Sequence, residues 1–367
     1  MNKELFAMNK RKDVIIYGCG MSGLVAAINL AREGHNVLVR DKERGYGGDT
    51  LYNPSTHCTP IDRKRTSDYI GIDISPVFYP LVVCPFYLHD TRSDAPHSGL
   101  YAVERGNRPT SLDTLLYGIA RKEGVSFEFN APLKKSDLGS LPPDTIVACG
   151  LTPEAYKTIG IPSLTWYGWV SRGEAGFSNY SRIWWDECIT EYGYLSSANN
   201  YYFDLLFSIK PVTREALEKY KDFIRRNEGG EYDNWEYVVG AVPVAKSTNP
   251  RLFHDGMIMC GTISGYMDPF GWFGIAGALI SGKIAALAVT DRAAAQKEFD
   301  RFIRYYRLVF FIKKYLWYTL LRPRVELLEN LLIWFGPEKF SRFVGARVNE
   351  EHHLPFSIPA FAHLGAE

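Results

Sequence analysis

Residues 18–23 of this 367-residue chain read Gly-Cys-Gly-Met-Ser-Gly, a G-x-G-x-x-G spacing. The spacing suits one task. The first glycine permits a tight turn, the second lets bare backbone approach a pyrophosphate, and the third lets a helix pack closely on a strand. Gly18, Gly20 and Gly23 take those roles, and Asp41 stands where a carboxylate meets a ribose hydroxyl.

These residues need a strand before them and a helix after them. Residues 14–17 form a short apolar run, residues 24–32 are rich in Ala, Leu and Ile, and residues 35–40 form a second strand pattern ending at Asp41. The helix start offers free N–H groups and the positive end of its dipole to phosphate. This context predicts a dinucleotide-binding βαβ unit that begins the fold.

A second stretch, residues 255–282, is also rich in glycine: DGMIMCGTISGYMDPFGWFGIAGALISG. It predicts a strand, a shaped loop and a helix that starts at Ile275. Between the two, residues 104–130 read as loop, helix and strand, and residues 144–150 as a short strand ending in glycine.

Together these segments resemble the geranylgeranyl reductase family of FAD-dependent oxidoreductases, which sits with the p-hydroxybenzoate-hydroxylase-like flavoproteins. The first motif, then Asp41-Lys42-Glu43-Arg44 and a Gly-Gly pair, looks like FAD-binding proteins rather than NAD dehydrogenases. Arg108 and Asp113 match an arginine and a helix-borne aspartate of flavoprotein hydroxylases and reductases. Gly261, Gly265, Asp268, Pro269, Gly274 and Ile275 match the second FAD fingerprint. The resemblance implies that the 268–274 loop lies against the isoalloxazine edge and that the following helix points its N-terminus at the ring.

Three positions depart from that pattern. The family's Gly-Asp is Gly261-Thr262, its Asp-Gly after the DTIVA strand is Cys149-Gly150, and its Thr-Gly-Glu-Gly turn is Gly271-Trp272-Phe273-Gly274. Thr262 can still make one uncharged hydrogen bond to the cofactor. Cys149 stands in place of an acid that serves FAD and NAD(P)H in the hydroxylases, which counts against a monooxygenase.

Residues 155–248 are strand-like and aromatic, with Ala198-Asn199-Asn200 as a hairpin turn. They predict an antiparallel sheet that roofs the cofactor. The family's Tyr-x-Trp-x-Phe-Pro motif has a partial counterpart in Tyr192-Gly193-Tyr194. Tyr192, Tyr194, Trp272 and Phe273 are the expected substrate-pocket residues; simple sheet packing is the other reading of such aromatics. Cys58 resembles a loop cysteine of archaeal members and reads either as a proton donor or as an ordinary loop cysteine. His57 beside it reads as solvent-facing or structural, and His89 and His97 show no pattern.

Residues 301–324 hold seven Lys/Arg, no acid and eight aromatics, and Pro323 is expected to break the helix. Such a composition suits a membrane interface, or a pair of helices packed on the body with basic side chains reaching solvent. The aromatic segment 352–365 reads as a cover for the pocket or for a neighbouring subunit.

The bulk numbers agree with a sizeable enzyme. Hydrophobic residues make up 46% and the net charge is +1, so nucleic-acid binding is not expected. The six cysteines form no CxxC pair, and no signal-peptide or membrane-spanning run is evident, so a cytosolic protein, peripheral on a membrane at most, is expected.

The predicted fold is α/β. A Rossmann-like FAD-binding domain comprises residues 12–60, 100–150 and 250–295. An antiparallel β substrate domain comprises 61–99 and 151–249, and a helical region follows at 296–367. The expected activity is reduction of C=C bonds in a prenyl or other apolar lipid, with hydride from flavin N5 and electrons from NAD(P)H or a ferredoxin-like donor. The alternatives are a flavoprotein monooxygenase on an aromatic or polyketide-like substrate, and a non-redox flavin- or lipid-binding protein. No metal is expected.

Overall fold

The computed structural model describes residues 11–95, 99–243, 246, 248–269, 271–336 and 339. His97 and the 352–365 segment lie outside the described residues.

The first motif folds as its spacing predicts. Strand Asp13–Tyr17 leads through the glycine loop into helix Met21–Arg32, and strand Asn36–Arg40 returns parallel to it, Val14 opposite Val37. Strands Ile146–Val147 and Met257–Met259 extend this sheet on one side, and Ser126–Glu128 on the other. Its strands are too short to bury much alone. Helices cover it, and helix Ile275–Thr290 packs against Met21–Arg32. At that crossing a Cβ on Gly282 would lie 2.6 Å from the Ser22 carbonyl oxygen, so only glycine allows the approach.

The second sheet has seven strands, led in sequence by Cys84–Leu88 and Thr91–Ala95. Gly193–Ala198 is its central strand, with Tyr201–Ser208 and then Leu164–Glu174 on one side, and the sheet is largely antiparallel. The predicted hairpin is present: Ala198 pairs with Tyr201, and Asn199 and Asn200 take left-handed φ values of 50° and 56°. Asn tolerates that region better than most side chains, and two such residues suit a two-residue hairpin. Tyr201–Ser208 is buried at every position, so both of its faces are covered. One face meets helix Arg214–Glu228, and the other faces the glycine-rich loop around Trp272.

A three-stranded sheet, Ser55–Pro60, Leu100–Arg105 and Phe78–Pro80, joins the two larger ones. The 61–99 stretch divides between them. Ile61, Ile70, Ile72, Ile74, Val77 and Phe78 belong to the nucleotide-binding core, whereas Cys84–Leu88 and Thr91–Ala95 join the seven-stranded sheet.

Helix Arg292–Ile312 buries Phe299, Phe302, Ile303, Tyr306 and Val309 against the body. It continues as a π-helical segment to Leu321 rather than stopping, and Pro323 falls in the turn before helix Val325–Phe335. No helix among the described residues is long and apolar enough to cross a membrane.

Candidate functional site: a nucleotide cleft with an inner chamber

The glycine loop opens into a cleft of about 310 Å³ between the first sheet and the seven-stranded roof. Gly18 sits at φ 115°, and a Cβ there would lie 2.3 Å from the Ala148 carbonyl oxygen. A Cβ on Gly20 would meet nothing within 4 Å, because that backbone faces open space. Neither helix Met21–Arg32 nor helix Ile275–Thr290 has a side-chain cap or an acid in its first turn. Both therefore offer their first N–H groups to whatever occupies the cleft, which Gly20 and Gly274 line.

Asp41 lies at the cleft, 9% exposed. It accepts from the Cys19 N–H at 2.5 Å and the Glu43 N–H at 2.8 Å. Burial raises its carboxyl above the usual range, and those two N–H bonds oppose the rise. Each oxygen keeps a further lone pair for a ribose hydroxyl. Cys149, in the acid position of the hydroxylases, also lines the cleft. Burial pushes its thiol up to about 12, so it brings no charge near neutral pH.

Several expected residues stand elsewhere. Arg108 is not among the cleft residues: it pairs with the buried Glu104 and lies 4.5 Å from the Tyr201 ring. Arg105 does line the cleft, as Arg40 does, and Asp113 holds it through bonds of 2.6 and 3.1 Å. The physical reason is local. Glu104 is fully buried and needs a cation, and Arg108, four residues on, supplies it.

Gly23, Gly261, Gly265, Asp268 and Pro269 likewise shape the site from behind the wall. Gly23 abuts the Gly18 carbonyl, Gly261 abuts Ser22, and Gly265 abuts Pro250. Pro269 faces Pro250 and Tyr306, away from the cleft. Asp268 is the hub of its turn. Its carboxylate accepts from Gly271 N–H at 2.5 Å, its carbonyl accepts from Trp272 N–H at 2.9 Å, and its own N–H donates to the Phe273 carbonyl at 3.0 Å. Thr262, Gly274 and Ile275 do line the cleft.

The turn holds Trp272 at φ 58°, a sparsely populated region for a bulky side chain. Such conformations persist where the surroundings over-determine them, often at functional sites. Here the Tyr192 hydroxyl donates to the Gly271 carbonyl, and the Trp272 ring packs 5.2 Å from that of Phe207. The indole Nε1 of Trp272 and that of Trp166 are buried and have no hydrogen-bond partner. Both rings line the cleft. The Trp166 Nε1 packs against Gly240, where a Cβ would lie 2.4 Å from it; the open backbone at Gly20 and the uncapped helix starts are what fit a flavin dinucleotide here.

Behind these rings the cleft leads to an inner chamber of about 120 Å³, lined by Cys58, Tyr192, Phe207, Trp272, Phe273 and others. His57, Trp166, Tyr194, Trp272, Gly274 and Ile275 line both spaces. All four expected pocket residues, Tyr192, Tyr194, Trp272 and Phe273, therefore border the chamber, as does Cys58.

His57 is neither solvent-facing nor idle. Tyr194 Oη lies 2.9 Å from its Nδ1, and Ser55 Oγ lies 2.9 Å from its Nε2. Ser55 donates onward to Asn53 Oδ1 at 2.9 Å. With that proton committed, Ser55 accepts from His57 Nε2–H, and Tyr194 donates to Nδ1. The result is a directed chain, Tyr194 to His57 to Ser55 to Asn53, along the cleft wall. Burial, helped by the nearby Arg105 charge, lowers the imidazole to about 3, so it stays neutral. A neutral imidazole bonded at both nitrogens can pass a proton from one to the other.

Residues 13–64 match the FAD binding domain family. That match spans the glycine loop and Asp41 and indicates FAD as the cofactor. The flavin-containing monooxygenase FMO GS-OX4 of Arabidopsis thaliana is 34% identical over 123 residues, 32% of this chain and 24% of that protein. The chain thus spans about a quarter of the length of that relative. Two solved structures share the fold across nearly the whole chain. The flavin-dependent brominase Bmp2 superposes with a TM-score of 0.60 at 13% identity, covering 96% of this chain and 97% of that one. The p-nitrophenol 4-monooxygenase PnpA from Pseudomonas putida superposes with a TM-score of 0.56 at 13% identity, covering 92% and 93%. The fold is that of FAD-binding flavoproteins, with a Rossmann-like domain and a substrate sheet.

Sequence reasoning passes over Arg105, Ser55 and Trp166, and gives His57 only as solvent-facing or structural. One signal was present for two of them. Ser55 and His57 are two apart in a strand and so share a face.

Proposed function

We propose that this chain is an FAD-dependent oxidoreductase, and that its reaction is monooxygenation of an apolar substrate whose reacting part is a hydroxylated, ring-sized group. The observation that carries the reading is the inner chamber, which shares its wall with the cleft at the Tyr194–His57 pair. Its volume of about 120 Å³ is close to that of an engineered cavity, about 150 Å³, that admits benzene. Bound FAD supplies the redox chemistry, with NAD(P)H as the electron source. The chain's residues do the rest. Trp166, Tyr192, Phe207 and Trp272 grip the ring and exclude water. Tyr194 accepts the substrate's hydroxyl proton as it gives its own to His57 Nδ1, His57 passes its Nε2 proton to Ser55, and Ser55 releases its own hydroxyl proton to water in the cleft it lines. The match to flavin-containing monooxygenases supports this reading over carbon–carbon reduction.

The test is to incubate the holoprotein with NAD(P)H, a panel of phenols and isotopically heavy oxygen gas, and to weigh the products. A product carrying one heavy oxygen atom is expected. A product that has gained two hydrogens, and no oxygen, would replace this reading with C=C reduction of a prenyl or other apolar lipid. That second reading has its own support, since the Cys58 thiol borders the chamber where a proton donor would be needed.

A further inference from the structure

Cys58 borders the chamber from strand Ser55–Pro60, and Cys84 opens strand Cys84–Leu88 of a different sheet. The two meet in one small apolar cluster with Leu81, Leu100, Ala102 and Ala198. Both cysteines belong to that one six-residue cluster, and Ser181 lines the chamber beside Cys58. Cys58 is 7% exposed and Cys84 is 0% exposed. The arrangement is asymmetric, with one thiol at the chamber wall and a second thiol fully buried in the same cluster.

We propose that Cys58 and Cys84 are a peroxide-responsive pair, in which Cys58 is the oxidised cysteine and Cys84 resolves it to a disulfide. In the first step the Cys58 sulfur takes one oxygen from hydrogen peroxide, giving a sulfenic acid and one water. In the second step the Cys84 sulfur attacks the Cys58 sulfur. A disulfide forms, the S–O bond breaks, and the Cys84 proton leaves with the hydroxyl as a second water. The two thiols lose two hydrogens and two electrons, and the peroxide is reduced to two waters. A sulfenic acid with no neighbouring thiol goes on to irreversible sulfinic acid, whereas one beside a resolving cysteine is trapped reversibly. Contact with the Cys58 thiol, together with burial, holds the Cys84 thiol well above the usual range. Cys84 is therefore a poor first target and acts second. The disulfide removes the thiol from the chamber wall. The pair is independent of which reaction the chamber hosts.

The test uses the full chain and needs no substrate. Native protein is treated with hydrogen peroxide, free thiols are alkylated after denaturation, and peptides are mapped without reductant. The expected result is a peptide pair joined through Cys58 and Cys84, lighter by two hydrogens and separated by dithiothreitol. In Cys84→Ala the same treatment should leave Cys58 with two added oxygens, beyond rescue by dithiothreitol. Cys58 reaching that sulfinic state in the native protein would overturn the proposal. So would full alkylation of both cysteines after treatment, or a crosslink of Cys58 to a different cysteine.

Discussion

The hydroxyl of Tyr194 lies 2.9 Å from Nδ1 of His57, 137 positions away in sequence. The bond ties the roof sheet to the strand that runs beneath the cofactor cleft, and it holds an imidazole that burial and the Arg105 charge keep neutral. Stability should record that state. The folded His57 resists protonation down to about pH 3, whereas an unfolded histidine binds a proton near 6.5. Between those values the unfolded chain holds more protons, so stability falls as pH drops from about 6.5 toward 3. The slope from one such group is about 1.4 kcal/mol per pH unit. His57→Gln should flatten the unfolding free energy by roughly that slope between pH 6 and 4, as measured by urea denaturation. An unchanged slope would show that His57 titrates normally.

Tyr194→Phe keeps the ring and removes the first link of the chain. If the chain moves a substrate proton, turnover should fall by about 10²–10⁴-fold while flavin content stays at the native level. Solvent-deuterium kinetics offer a second reading, since the native isotope effect should change in the variant.

Gly18→Ala places a Cβ 2.3 Å from the Ala148 carbonyl oxygen, at a φ of 115° that alanine rarely adopts. The strain is on the order of 1–3 kcal/mol, and the phosphate loop must shift to relieve it. The variant should be purified with little flavin and a lower Tm. Gly20→Ala is the informative contrast. Its Cβ clashes with no protein atom and projects into open space, so it should weaken FAD binding with little effect on the Tm of the FAD-free protein.

The roof sheet carries a fully buried ion pair, with Arg182 Nη2 2.6 Å from Asp204 Oδ2 and both side chains 0% exposed. Tyr220 adds a hydrogen bond to Asp204 at 2.7 Å. Burial raises the Asp204 carboxyl to about 6 even beside Arg182, which registers how costly that charge is. Arg182→Met should destabilise by about 3–5 kcal/mol, because Asp204 is left buried without its cation. Chemical denaturation measures it. Arg182→Met combined with Asp204→Leu should recover much of the loss.

The contrast between Gly18 and Arg108 shows what the sequence could reveal. Gly18, Gly20, Gly23 and Asp41 belong to one local unit whose spacing is set by a turn, a helix and a strand, so chain order alone locates them. Arg108 matches a family position, yet Arg105 reaches the cleft. The choice between them depends on Glu104, whose burial is decided by a sheet formed with distant residues. The turn at 268–273 was legible as a loop, but not the inward role of Asp268, which arises from bonds the turn makes to itself. His57–Tyr194 and Cys58–Cys84 join separate segments across sheets, and no local pattern encodes such pairs.

The central claim is that the cleft between the first sheet and the roof holds FAD. The direct test is titration of the flavin-free protein with FAD, followed by flavin absorbance and fluorescence. Saturation at one FAD per chain, with bleaching by dithionite or NAD(P)H, is the predicted result. Failure of the correctly folded protein to bind FAD at any concentration would contradict the account.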